Sequence, residues 1–127
     1  MGLFSKSKFE KLMKYFKERK ISLNENNNKY EFELNFPKKR FNLYPYFTLD
    51  TDYLSIVINL KRVNDKEINQ ILPMVNGFNT KSKYFTMKIF NNVVYLEYNT
   101  FLDDSFKVFL DEVFNSLNDL EDDIDNI

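Results

Sequence analysis

The most constraining part of the sequence is residues 65–120, which predict a helix, a tight β-hairpin and a long amphipathic helix in direct succession. Asn64 and Glu67 have the spacing of a capping box at the start of the first helix, and Asn76-Gly77 predicts its end. Apolar residues at helical spacing follow the hairpin over residues 103–120. This succession predicts an α+β domain.

The hairpin also predicts its own register. Residues 83–90 and 93–100 alternate in polarity around a two-residue turn, Asn91-Asn92. That turn pairs Ile89 with Val94, Met87 with Leu96 and Phe85 with Tyr98, so this face of the hairpin should be core. The other face carries three further pairs: Phe90 with Val93, Lys88 with Tyr95, and Thr86 with Glu97.

The first half of the chain adds one helix and three strands. Phe9, Leu12, Met13 and Phe16 mark one face of a helix over residues 6–19, and residues 24–28 predict a loop. Strands are predicted over residues 30–36, 41–49 and 53–61, with turns at 37–40 and 50–52. The resulting order is α-β-β-β-α-β-β-α, a sandwich of helices on one mainly antiparallel sheet.

A chain of 127 residues suits a single domain, here residues 1–120. Hydrophobic residues make up 43% of it and aromatic residues 17%, which is ample material for a core. Residues 121–127 predict an acidic, frayed tail.

The chain offers little recognisable chemistry. It contains no cysteine and no histidine, which removes disulfides, thiolate catalysis and the commonest general base and metal ligand. Its two glycines, Gly2 and Gly77, form no phosphate-binding loop. We therefore predict no enzyme, catalytic residue or cofactor; an enzymatic alternative would need lysine, tyrosine and carboxylate groups in a closed polar pocket.

Three acidic clusters are weak candidates for a divalent cation. They are Asp50/Asp52, Asp103/Asp104 and Asp122/Asp123/Asp125. None has the glycine and oxygen ligands of an EF-hand loop. Turn chemistry explains the first cluster and charge at a helix N-terminus explains the second, so no metal site is predicted.

Charge is unevenly distributed around a net value of −1. Residues 1–20 hold seven basic and two acidic groups, while residues 103–127 hold one basic and nine acidic groups. The basic helix could pack on the sheet, lie on an anionic membrane through residues 3–20, or contact nucleic acid. A pI of about 5.5 argues against nucleic acid. No apolar run has the length of a membrane span or a signal peptide, which predicts a cytoplasmic protein.

Aromatic residues off the predicted core face are the interaction candidates. Tyrosine and phenylalanine are enriched at the centres of protein interfaces. Alternatively, a helix covers this second sheet face and makes it core; the sequence leaves open which face the first helix covers. The candidate protein-binding residues are Tyr44, Tyr46, Tyr53, Phe90 and Tyr95, joined by Val57 and Val93.

Five stretches of the second half carry a family resemblance: ILPMVN at residues 71–76, Phe78-Asn79, KYF at 83–85, VVYLEY at 93–98 and the helix from Phe106. With these stretches the second half resembles the YbjN family and, more distantly, the type III secretion chaperones. It departs from the family at Asn91-Asn92, where Asp-Gly or a similar pair is more usual. The resemblance implies an α/β sandwich that is non-enzymatic, binds protein and is often dimeric, and it carries over no site residue.

The preferred hypothesis is therefore a cytoplasmic, non-catalytic domain that binds another protein, in a chaperone-like or regulatory role, as a homodimer. The alternative is a peripheral membrane protein that uses the basic N-terminal helix.

Overall fold

A computed structural model describes residues 2–27, 29–36, 41–50 and 52–117. The predicted turn at residues 37–40 and the predicted tail at 121–127 lie outside these residues, as do Leu120 and the Asp122/Asp123/Asp125 cluster. Three helices and an antiparallel sheet confirm the α+β class.

The elements follow one another along the chain as three helices and eight strands among the described residues. They are α1 (Gly2–Glu18), β1 (Asn24–Asn26), β2 (Lys29–Glu31), β3 (Leu34–Phe36), β4 (Phe41–Leu43), β5 (Tyr46–Asp50), β6 (Tyr53–Arg62), α2 (Asp65–Lys81), β7 (Thr86–Phe90), β8 (Val93–Phe101) and α3 (Phe106–Ser116).

The main sheet has six strands in the order β1-β2-β5-β6-β8-β7, and each neighbouring pair is antiparallel. β3 and β4 pair separately as a second, two-stranded sheet. β6 and β8 form the centre of the main sheet, in register from Tyr53 opposite Phe101 to Arg62 opposite Val93, with an irregularity between Asn59 and Lys61. Within the described part of the chain, β1 and β7 form the outer edges of this sheet.

All three helices contribute to a core on one face of the main sheet. Phe16 of α1 stacks on Phe47 of β5 with ring centroids 5.0 Å apart, and Phe114 of α3 meets Phe32 at 5.7 Å. Ile71 of α2 belongs to the same buried cluster as Leu96 of β8. Helix one therefore shares its sheet face with α3, which answers the question that the sequence left open.

The sequence predicted three strands in the first half, fewer than the structure has there. The predicted strand over residues 30–36 breaks into β2 and β3, and the one over 41–49 breaks into β4 and β5. Pro45, which lacks an N–H, lies at the second break, and its carbonyl accepts from the N–H of Phe32. Asn24–Asn26, predicted as loop, forms β1 against β2.

α2 begins as predicted and ends later. Asn64 and Glu67 make the reciprocal capping box. The helix then continues through Pro73 and past Gly77 to Lys81, so the stop predicted at Asn76-Gly77 is wrong. Gly77 sits within the helix without positive φ, and the burial of Ile71, Val75 and Phe78 against the sheet carries the helix beyond it.

The hairpin confirms its predicted register. Phe90 is opposite Val93, Ile89 opposite Val94 and Met87 opposite Leu96. Asn91 and Asn92 have φ of 50° and 62°, the left-handed pair that a type I′ turn requires. β7 itself starts at Thr86, so Phe85 and Tyr98 meet through their rings, 5.8 Å apart, and not as a strand pair.

α3 starts later than predicted. It starts at Phe106, and Asp103 lies before it, where its carboxylate accepts from the N–H and the hydroxyl of Ser105. The first turn holds no acidic residue, and Asp103 and Asp104 lie just before the N-cap, Ser105. Local turn bonding uses Asp103.

Candidate functional site

The second face of the main sheet carries the aromatic residues that the sequence nominated. Residues opposite one another in an antiparallel pair point to the same side. The register pairs Tyr46 with Val57, Tyr53 with Phe101, and Phe90 with Val93. No helix of the described residues packs on this side, which we call the open face. It is defined by Tyr46, Tyr53, Val57, Phe90, Val93, Tyr95 and Phe101.

The open face exposes large rings to solvent. Phe90 is 67% exposed, Phe101 66% and Tyr53 38%. Tyr53 and Phe101 meet edge to face, with ring centroids 4.8 Å apart. Exposed aromatic surface gathered on one sheet face is typical of an interaction site and unusual for a face that stays in water.

A shallow depression of about 530 Å³ lies at the β7–β8 end of the open face. Aromatic and aliphatic side chains line it together with polar and charged ones. The lining residues are Tyr46, Val57, Asn59, Arg62, Phe90, Asn91, Val93, Tyr95 and Glu97. A lining of this mixed character is typical of protein interfaces.

Charges of both signs border the aromatic residues. Lys88 contacts Glu97 at 2.6 Å, and this hydrogen bond raises the pKa of the Lys88 ammonium. Lys29 lies over the ring of Tyr46, 4.7 Å from its centroid. The register places three cations and three carboxylates on this side, so its formal charge balances: Lys29, Arg62 and Lys88 against Glu31, Asp50 and Glu97.

Four of the five nominated residues come together on the open face: Tyr46, Tyr53, Phe90 and Tyr95. Tyr44 does not line the depression; it is 57% exposed and lies between β4 and β5. The predicted residues do not include Phe101, although Phe101 continues the period-two pattern of Val93 and Tyr95 along β8.

A second cavity, of about 350 Å³, lies where α1 meets α3. The Tyr15 hydroxyl donates to the Asp111 carboxylate at 2.8 Å, and the Arg19 guanidinium donates to both carboxylate oxygens of Asp111. Arg19 also stacks on the Tyr15 ring, 3.8 Å from its centroid. These contacts tie α1 and α3 together.

The pKa values in this cluster follow from the same contacts. Burial, with help from the Asp111 carboxylate, raises the pKa of the Tyr15 hydroxyl. Hydrogen bonds from Arg19 lower the pKa of Asp111, and the same bonds raise that of Arg19. Tyr15 therefore stays neutral and Asp111 stays ionised near neutral pH.

The described acidic clusters do not assemble into a cation site. Among the residues that the structure describes, no three carboxylates lie close enough to hold a metal ion. Asp52 pairs with Lys8 at 3.5 Å, and Asp103 is engaged by Ser105.

The apolar face of α1 is used inside the fold. Leu12, Tyr15 and Phe16 are buried in the core, whereas Lys11, Lys14 and Lys17 are exposed. Lys8 Nζ donates to the Leu102 carbonyl at 2.6 Å. The helix can thus offer ammonium groups to an anionic surface, but Leu12 and Phe16 could enter a membrane only by leaving the core.

Within the described part of the chain, no helix combines the length and the apolar character needed to cross a membrane.

The sequence and the fold were compared with known families, curated proteins and solved structures. No protein-family model matches the sequence, and no curated protein matches it either. The crystal structure of YbjN from E. coli, described as a candidate transcription regulator, superposes with a TM-score of 0.67. The match covers 91% of this chain and 87% of that chain at 10% identity.

The fold is YbjN-like. At 10% identity the similarity establishes the YbjN-like fold and carries no site residue. The match confirms the YbjN-like resemblance drawn from residues 71–98 and from the helix that starts at Phe106, and it extends that likeness to nearly the whole chain.

Proposed function

We propose that this protein is a non-catalytic protein-binding module, chaperone-like or regulatory, and that the open face is its docking surface. The observation that carries the proposal is the exposure of Phe90, Phe101 and Tyr53 on a sheet face opposite the helices. The YbjN-like fold supports a regulatory role, because the E. coli protein is described as a candidate regulator of transcription. The proposed setting is the cytoplasm.

The first occupant we propose for the open face is a second copy of the chain. Two copies meeting face to face would cover both sets of aromatic rings. Since three cations and three carboxylates balance on this face, the meeting brings no excess of like charge. Balanced charge around an apolar centre favours self-association over a strongly basic or acidic partner.

The chain's lack of cysteine allows a direct test by disulfide trapping. Phe90→Cys places one thiol on the open face, and Val108→Cys places one on α3 at nearly the same exposure, 67% against 68%. Under mild oxidation the Phe90→Cys chain should form a covalent dimer much faster than the Val108→Cys chain. Equal rates for the two variants would contradict docking at the open face.

A membrane-surface role remains the second proposal, supported by the exposed Lys11, Lys14 and Lys17 of α1. Because Leu12 and Phe16 are buried, this binding would be electrostatic. It predicts salt-sensitive co-sedimentation with anionic vesicles that is abolished by Lys11→Glu/Lys14→Glu and unchanged by Tyr95→Lys. Failure to co-sediment at low salt would end this proposal.

A further inference from the structure

The outer edge of the main sheet at β7 is the place where another strand would add. In an antiparallel hairpin closed by a two-residue turn, the residues that flank the turn exchange hydrogen bonds, and so does every second residue beyond them. Phe90, Lys88 and Thr86 therefore bond to β8. The N–H and carbonyl groups of Met87 and Ile89 point outward, away from the sheet.

A side chain of α2 already occupies the outward groups of Met87. The Asn79 amide nitrogen donates to the Met87 carbonyl at 3.0 Å, and the Asn79 oxygen accepts from the Met87 N–H at 2.6 Å. These are the two bonds that a residue of an added strand would make. A carboxamide has one donor side and one acceptor side, so it reproduces the pairing of a peptide group.

We propose that Asn79 closes the β7 edge to strand addition, and that a second copy's β7 is the strand it excludes. The full-length antiparallel pairing of β7 with itself places Met87 opposite Ile89 of the second copy and Lys88 opposite Lys88. Asn79 removes the Met87 bonds from that pairing. The two lysines, one from each copy, oppose it further, since like charges directly opposite each other are unfavourable.

The other edge of the sheet is closed differently. β1 spans only Asn24–Asn26, and all three of its residues are exposed and polar. A three-residue polar strand offers a poor template for pairing. Because both edges disfavour pairing with another strand, contact with other chains should use the open face. The inference about Asn79 concerns a separate surface and does not depend on the proposed function.

The test replaces Asn79 by alanine and uses Asn76→Ala as the matched control. Asn76 lies on the same helix, is exposed, and makes no side-chain contact with β7 among the hydrogen bonds of the described residues. Amide exchange is measured at low protein concentration, and the assembled mass by light scattering over a concentration series. The variant Asn79→Asp, which keeps the acceptor and loses the donor, serves if the alanine variant fails to fold.

In Asn79→Ala the Met87 amide should exchange about five- to tenfold faster at low concentration, the factor expected for one lost hydrogen bond. At high concentration the assembled mass of Asn79→Ala should exceed that of the wild type by one association step. This step should persist in Asn79→Ala/Tyr95→Lys, because it uses the edge and not the open face. Unchanged Met87 exchange, an unchanged mass, or loss of the step with Tyr95→Lys would overturn the proposal.

Discussion

The hydroxyl of Tyr15 on α1 donates a 2.8 Å hydrogen bond to the carboxylate of Asp111 on α3, across 96 residues of sequence. Tyr15 is fully buried. Arg19 completes the arrangement by donating to both oxygens of the same carboxylate. The first and the last described helices are thereby fixed to each other on the covered face of the sheet. The open face on the other side depends on this scaffold staying folded.

Asp111→Ala should lower the free energy of unfolding by about 1–3 kcal/mol, because it leaves the buried Tyr15 hydroxyl without its acceptor. Tyr15→Phe removes the hydroxyl itself, and Asp111 still accepts from Arg19, so the loss of unfolding free energy should be smaller. Urea unfolding of the two single variants and the double variant measures the coupling between the residues. Additive losses would mean that the hydrogen bond contributes nothing to stability.

The contribution of Asp111 should depend on pH in the acid range. Hydrogen bonds from Arg19 lower its pKa below the ordinary value of 3.8, so the folded state binds the proton less tightly than the unfolded state. The stabilisation is therefore complete above that ordinary value and is lost as pH falls through the lower pKa of the folded protein. Asp111→Asn should unfold with a flatter acid limb than the wild type. Parallel acid limbs would contradict this assignment.

Gly77→Ala should stabilise the protein by about 0.5–1 kcal/mol. Gly77 lies inside α2 with helical backbone, and an added Cβ would meet no atom within 4 Å. Alanine lowers the entropy of the unfolded chain without a steric cost in the helix. Thermal and urea unfolding check the result; a destabilised variant would mean that this face of α2 is occupied in solution.

The two turn asparagines should respond differently to glycine. Both have positive φ, which glycine adopts freely. Among the hydrogen bonds of the described residues, only the Asn92 side chain takes part, donating to the Val63 carbonyl at 2.9 Å and to the Asp65 carboxylate at 3.1 Å. Asn91→Gly should be neutral or slightly stabilising. Asn92→Gly should cost about 1 kcal/mol through the lost hydrogen bonds. Equal effects in urea unfolding would show that these contacts are not formed.

The sequence predicted the second half of the fold better than the first because its signals there are local. A capping box, a two-residue turn and alternating polarity fix the positions of Asn64, Asn91 and Val93 without knowledge of the rest. The end of α2 was missed because packing of Val75 and Phe78 against the sheet outweighs the helix-stopping tendency of Gly77.

The periodicity of the sequence could not predict which side chains far apart along the chain contact each other. The predicted stripe of α1 included Leu12 and Phe16 but not Tyr15, whose buried hydroxyl finds its acceptor, Asp111, only on α3. The contact of Asn79 with Met87 likewise depends on how α2 crosses the end of β7. The aromatic open face was predictable because alternation along β8 assigns Tyr95 to a side, but only tertiary structure shows which side the helices leave uncovered.

The measurement that tests the central claim most directly is light scattering coupled to size-exclusion chromatography, on the wild type and on Tyr95→Lys over a range of concentrations. Met74→Lys, on the exposed side of α2, is the matched control for an added charge at a partly exposed apolar residue. We predict a dimer for the wild type and for Met74→Lys, and a folded monomer for Tyr95→Lys. A wild-type monomer at every concentration, or a dimer that Tyr95→Lys leaves intact, would contradict self-association through the open face.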